Sequence, residues 1–375
     1  MIKNKDKGIT LIALVITIII LLILAGISIS ALTNQGLFKN AKAAQNATEK
    51  AEKEQGQRLN EYEDEINKYL NNANEDEKIG LITDNINKEL SKTDNTKLKD
   101  EKGNRIVVPA GFKIVNGATT VDKGIVIEDV TETATKGSQF VWVPVGTITK
   151  TDGTTAIITL GRYDFDATTG KESAYSDTYV EEDSNDSSTL KKCGNTIAKN
   201  ITKFKNSVAT NGGYYIGRYE ARTATARSAK DNALTQITEK GTENVYNYVT
   251  QLQAAQLSQN MYNSDKFTSD LTNSYAWDTA IVFIQNCGTN AKYSRQNSLN
   301  TSLSQKGTAT DIQCNIYDMA SNIREWTTET SSDSKYYCVC QGGSYPDSDH
   351  YTSSRNRSNT SYGPAYLGFR PLLYL

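Results

Sequence analysis

From Ile9 to Leu32 the chain reads ITLIALVITIIILLILAGISISAL, 24 residues without a charge, 19 of them hydrophobic. At about 1.5 Å of rise per residue this pattern predicts a helix of roughly 36 Å, enough for a bilayer core of about 30 Å. Lys3, Lys5 and Lys7 precede it, opposed only by Asp6. The expected arrangement is therefore a single pass through the cell membrane, with the N-terminus inside and 33–375 outside. The pattern then changes: 28 of the 67 residues from 39 to 105 are charged, 13 basic and 15 acidic. Leu59, Tyr62, Ile66 and Tyr69 keep helical spacing there. This predicts a solvated helical stalk over 37–70, then a polar linker over 71–104 with one short helix near 79–90.

After Arg105 charged residues thin out and short apolar runs alternate with Gly, Asn and Thr turns. Strands are predicted at 105–108, 125–130, 139–145, 156–160, 214–219 and 336–341, with helices at 245–261 and 275–285. About 270 residues can bury a core without staples. The domain order expected is a basic leader at 1–8, the apolar helix at 9–32, a charged stalk and linker at 33–104, and a domain at 105–375. Scattered helices among short strands make the fold class α+β, a long N-terminal transmembrane helix followed by a globular domain.

Composition narrows the chemistry. The formal net charge is −2 and His350 is the single histidine. No basic surface for nucleic acid is expected, and a Ser-His-Asp triad or a multi-His zinc site would have to share one imidazole. Five cysteines, Cys193, Cys287, Cys314, Cys338 and Cys340, form an odd set, which suggests buried or free thiols rather than a disulfide frame.

Two stretches resemble known families. Gly8 between Lys7 and the T-L-I run resembles a type IV prepilin N-terminus. That implies cutting by a prepilin peptidase after Gly8, Ile9 as the first mature residue, and pilin-like subunits as partners. Ala13 stands where that family has Glu, which puts filament assembly in question. Further on, QFVWVPVG (139–146), YYIGRYEA (214–221), LTNSYAWDTAIVFI (271–284), NIYDMASNIREWT (315–327), QGGSY (341–345) and LGFRP (367–371) resemble, in order, the formylglycine-generating enzyme (sulfatase-modifying factor) family. The resemblance covers 139–375 and implies a C-type-lectin-like fold. Trp142, Trp277 and Trp326 are expected as core anchors, the Gly342–Gly343 pair as a close backbone passage, and Arg370 as partner to a buried carboxylate.

The enzymes of this family activate oxygen with two cysteines shortly after GGSY. Asp347 and Thr352 stand at the matching positions, and neither can carry thiolate chemistry. The expectation is a protein without that enzymatic activity. The family also implies a calcium ion, with Asp318 and Glu325 giving side-chain oxygens and Ser321 and Ile323 backbone carbonyls.

The segment 345–366 remains. Tyr, Ser, Asp, Asn, Thr and His make up 16 of its 22 residues, the vocabulary of an antibody paratope. Tyr345, Asp347, Asp349, His350, Tyr351, Arg355, Asn356, Arg357, Asn359, Tyr362 and Tyr366 are the expected ligand-binding residues. The ligand would be a surface glycan or protein. The same composition is what adenine-directed retroelement diversification leaves in proteins of similar fold. The favoured function is a surface-displayed, adhesin-like binding protein. A minor pilin of a filament or secretion machine, and an enzyme of the same fold with altered chemistry, are the alternatives.

Overall fold

The computed structural model describes residues 6–34, 46–48, 50, 80–83, 85–115, 117, 119–181, 200–231, 234–308, 310–331, 335–347 and 349–375. The chain divides into two compact units, Met1–Glu77 and Lys78–Leu375. In the first, helix α1 spans Asp6–Asn34. Its side chains are described from 13 to 27, and these are exposed, Leu14 at 56% and Leu22 at 67%. Among the described residues, no helix is long and apolar enough to cross a membrane. The expected transmembrane helix and single-pass membrane location are corrected accordingly. Gly8 and Ile9 sit in the first turns of α1, outside the residues whose side chains are described, and most of the predicted stalk lies outside the described residues altogether.

The second unit, which begins at Lys78, is β-rich, its many short strands outweighing its helices. The expected linker is partly strand. β1 (Gly80–Leu81) runs parallel to β2 (Thr96–Lys99), and β2 pairs antiparallel with β3 (Arg105–Val108). Ile82, Ile86, Leu98 and Ile106 are buried with the main core. Dense charge on the outward positions hid those few inward apolar ones from a composition reading.

β4 (Phe112–Ile114), β5 (Val126–Asp129) and β6 (Gln139–Pro144) form an antiparallel meander. In β6 every residue after Gln139 is buried, as expected of a continuous apolar run covered on both faces. The hairpin β7 (Gly146–Thr149) and β8 (Thr155–Ile158) follows, then the pair β9 (Tyr163–Phe165) and β10 (Glu172–Ala174). Helix α2 (Ile201–Asn211) starts on Asn200, whose side chain accepts from Lys203 N, and stops at Gly212 with φ 75°, a left-handed cap suited to glycine. β11 (Gly213–Gly217) pairs with β6. A short pair, β12 (Arg222–Thr223) and β13 (Asn244–Val245), leads to α3 (Gln251–Gln259), opened by a Thr250/Gln253 capping box. β14 (Thr268–Leu271) precedes α4 (Ser274–Cys287), capped by Asn273 and buried along ten of its residues.

A last short pair, β15 (Ile312–Gln313) and β16 (Ile316–Tyr317), precedes β17 (Arg324–Thr330), β18 (Cys338–Gln341), β19 (Arg355–Ser358), β20 (Leu367–Phe369) and β21 (Pro371–Tyr374). The C-terminal β21 inserts between β14 and β11, giving a six-stranded sheet ordered β14-β21-β11-β6-β5-β4. A second, four-stranded sheet is ordered β19-β18-β17-β20, with β17 and β20 parallel.

The three tryptophans are fully buried. Trp277 Nε1 donates to Thr352 O at 3.0 Å and Trp326 Nε1 to Val249 O at 2.8 Å. A Cβ on Gly343 would lie 2.3 Å from Ala320 O, so this position keeps the 318–322 loop against the strand. Arg370 meets Glu325 through Nη2 at 2.6 Å and Nε at 3.0 Å.

Candidate functional site

The loop 345–354 and the turn 359–366 flank β19, and both lie beside the start of β17. Cross-strand register sets which side chains share a face. Trp326 pairs with Cys340, Cys340 with Asn356, and Arg324 with Leu367. With a period of two, Arg324, Cys340 and Asn356 share one side of the sheet, while Glu325, Gln341 and Arg355 share the other.

On the first side a polar network forms. Arg324 Nη2 donates to Asp347 Oδ2 at 2.6 Å, and His350 Nδ1 lies 2.7 Å from the same oxygen. His350 Nε2 is 2.9 Å from Asn356 Oδ1. Asn356 Nδ2 is buried without a partner in this orientation. Arg324 Nη2 also lies 2.7 Å from His350 Nδ1, which closes the contact among the three side chains. Burial opposes ionisation of Asp347, but hydrogen bonds from His350 and Asp349 N, with the charges of His350 and Arg324, hold its carboxyl below the usual range.

Tyrosines border this network. The Tyr362 and Tyr366 hydroxyls hydrogen-bond each other, with ring centroids 6.4 Å apart. Tyr345 N donates to Asn322 O at 2.8 Å and Arg324 N to Tyr366 O at 3.0 Å, which ties both tyrosines to the start of β17. Burial, then the neighbouring Tyr248 and Tyr366, raises the Tyr345 phenol; burial and the Tyr366 hydrogen bond push Tyr362 up to about 12. All three remain half-exposed. Neutral half-exposed phenols offer rigid, amphipathic contact area.

Other residues expected to bind ligand are placed differently. Arg355 points inward: its Nη2 donates to Asp278 at 2.5 Å and its Nε to Glu329 at 2.9 Å, with 8% of the side chain exposed. Arg162 meets Glu329 as well, and Tyr175 lies under both guanidiniums. Arg355 is thus part of the core, corrected from the expected ligand contact. Tyr351 lies under the Arg295 guanidinium at 3.7 Å. Asn359 Oδ1 accepts from Ser361 N and Oγ and shapes the exposed turn. Asp349 and Arg357 are exposed. Two members of the face were missed in the sequence. Arg324 stood inside the NIREW motif and Tyr248 in a predicted helix, and nothing in their spacing set them apart.

The two carboxylates assigned to calcium, Glu325 and Asp318, both have protein partners. Glu325 is held by both arms of Arg370, and both oxygens of Asp318 accept from Thr308 N at 2.9 Å. Ser321 Oγ accepts from Leu299 N, and Ile323 N donates to Glu220. Burial raises the Asp318 carboxyl to about 6 and pushes Glu220 well above its ordinary range. Glu325 is thus engaged by an arginine, while Asp318 carries a single shared backbone donor.

At the cysteine positions of the resembled enzymes, Asp347 is bound to Arg324, and Thr352 is buried with its hydroxyl donating to Tyr293 O at 2.7 Å. None of the four described cysteines is in a disulfide. Burial pushes the Cys287 and Cys340 thiols up to about 12 and Cys314 upward too, the reverse of an activated thiolate.

Fold and face together define a β-rich, C-type-lectin-like domain with a tyrosine-bordered polar face. The chain belongs to the family of the Sulfatase-modifying factor enzyme 1-like domain, which matches residues 128–373. Among solved structures it is similar to CarF, at 19% identity and TM-score 0.23 over 28% of this chain, and spans about half (48%) of that one. It is also similar to Treponema denticola variable protein 1, at 12% identity and TM-score 0.36, covering 65% of this chain and 98% of that one. A third similarity is to the Major Tropism Determinant U1 Variant, at 11% identity and TM-score 0.24, covering 79% and 74%. No curated protein matches the chain.

Proposed function

We propose that this protein is a non-catalytic recognition protein whose binding face is built by 345–347, 349–350 and 356–366 with Arg324 and Tyr248. The observation that carries this reading is the Arg324–Asp347–His350–Asn356 network bordered by Tyr345, Tyr362 and Tyr366. It joins rigid aromatic contact area to a fixed set of donors and acceptors, the combination that a polar protein or glycan surface requires. The chemistry at the family's cysteine positions supports the absence of oxygenase activity. An aspartate bound to arginine and a buried threonine supply no thiol. The partner is a surface-exposed protein or glycan, and the Tyr-, Ser- and Asn-rich composition suits a face diversified between copies of the gene.

The test is a panel of glycans and cell-surface proteins probed with the full chain and with a Tyr345→Ala/Tyr362→Ala/Tyr366→Ala variant of unchanged melting temperature. At least one ligand should bind the wild type and lose about tenfold or more with the variant, a central aromatic cluster being worth upward of about 1.4 kcal/mol. Equal binding by both chains would remove the face as the site. Conversion of a sulfatase-derived cysteine peptide to formylglycine would overturn the non-catalytic reading.

A further inference from the structure

A cleft of about 610 Å³ shares no residue with the proposed binding face. Its floor is Tyr219, just after β11, and Tyr317 of β16, with ring centroids 4.8 Å apart and planes inclined at 45°. Tyr317 N donates to Arg218 O at 2.9 Å, so backbone pairing fixes the two rings side by side. The Arg218 guanidinium lies 5.6 Å from one ring and 5.4 Å from the other. The wall closes tightly: a Cβ on Gly241 would stand 2.6 Å from the Tyr219 ring.

Lys240 and Lys306 stand on the rim. Lys306 Nζ donates to Thr242 O at 2.6 Å, and Lys240 Nζ lies 3.3 Å from Glu243. Each ammonium carries three donors, so neither is saturated by these contacts. The one carboxylate lining the cleft, Glu128, is already met by Lys113 at 2.9 Å and Gln139 at 2.7 Å. The cleft therefore offers an aromatic floor, the Lys306 and Lys240 ammoniums (the latter shared with Glu243), and polar groups from Gln139, Thr242 and Thr308. Its size falls in the range of about 300–1,000 Å³ typical of small-molecule sites.

From this combination we infer a second binding site, for an acidic saccharide: a pyranose whose C–H face lies on the tyrosine rings and whose carboxylate meets Lys240 and Lys306. An inorganic anion would leave the rings unused, and a neutral apolar ligand would leave the ammoniums unanswered. A sugar acid uses both, and its hydroxyls match the mixed donors and acceptors of the wall.

Isothermal titration of the full chain with glucuronic acid, glucose and AMP tests this. Glucuronic acid should bind with a Kd of about 1 mM or tighter, and glucose about tenfold more weakly. Tyr317→Ala should lose about tenfold for the acid. The rim variant Lys240→Gln/Lys306→Gln, which leaves the rings in place, should abolish the preference for acid over glucose. No heat with glucuronic acid at about 10 mM, equal affinity for glucose, or unchanged binding by the rim variant would overturn the assignment. AMP binding more tightly than the sugar acid would overturn the saccharide class.

Discussion

Replacing Arg355 by alanine separates a ligand contact from a core ion pair. In the structure its guanidinium bridges Asp278 at 2.5 Å and Glu329 at 2.9 Å, and both carboxylates are fully buried. Glu329 keeps Arg162 after the change. Asp278 keeps only Tyr163 N at 2.8 Å and Gln341 Nε2 at 3.1 Å. Removing one partner of a buried pair costs about 3–5 kcal/mol, because the remaining charge stays buried and uncompensated. For a domain of this size, about 2 °C per kcal/mol translates that into a drop in Tm of roughly 6–10 °C. Differential scanning calorimetry and urea unfolding on the full chain read it directly, with Arg357→Ala as the exposed control on the same strand. Adding Asp278→Asn to Arg355→Ala should recover part of the loss, since the unpaired charge goes with it. Melting of Arg355→Ala within about 1 °C of wild type, with ligand binding lost, would refute the core assignment and restore Arg355 to the recognition face.

Further outcomes follow from the same geometry. Burial, then the Glu329 charge, pushes the Glu181 carboxyl from its ordinary 4.5 up to about 7. The folded chain thus holds that proton more tightly than the unfolded one. The associated stability is complete below about 4.5 and is lost as pH rises through about 7, a loss of about 3 kcal/mol at about 1.36 kcal/mol per pKa unit. Urea midpoints should fall between about pH 5 and pH 8, and Glu181→Gln should flatten that slope; a midpoint that rises over this window refutes the assignment. Calcium at about 1 mM should leave Tm unchanged within about 1 °C, because both Glu325 oxygens are engaged by Arg370; a dose-dependent rise would show a cation bound there. If 345–366 varies between copies of the gene, Thr352 and Arg355 should stay constant while Tyr345, Asp347, Asn359 and Tyr362 vary. Sequencing related copies checks this, and free variation at Arg355 would contradict its burial.

Much of the second unit was legible locally. The apolar run QFVWVP could only be a covered strand, and β6 is one. LTNSYAWDTAIVFI carried its own Asn273 cap ahead of a helix buried on nearly every side. Motif order pointed to the family and to the burial of Trp142, Trp277, Trp326 and Arg370. Strands β1 and β2 escaped notice because a heavily charged stretch can still pack a few inward residues, Ile82 and Leu98 among them.

Sequence by itself determined the tyrosine- and serine-rich makeup of 345–366, the absence of cysteine from that segment, and the alternation that builds the sheets. Composition counts residue types and cannot say which way each side chain points. Tertiary structure decided that: Arg355 and Asn356 are adjacent in the chain and fall on opposite faces of β19, one into a buried carboxylate pair and the other beside His350. It also brought Arg324 and Tyr248 to that face, and Tyr219 to Tyr317, through pairings between strands distant in the sequence. Register and chain crossing are long-range properties of the sheet, and no local pattern contains them.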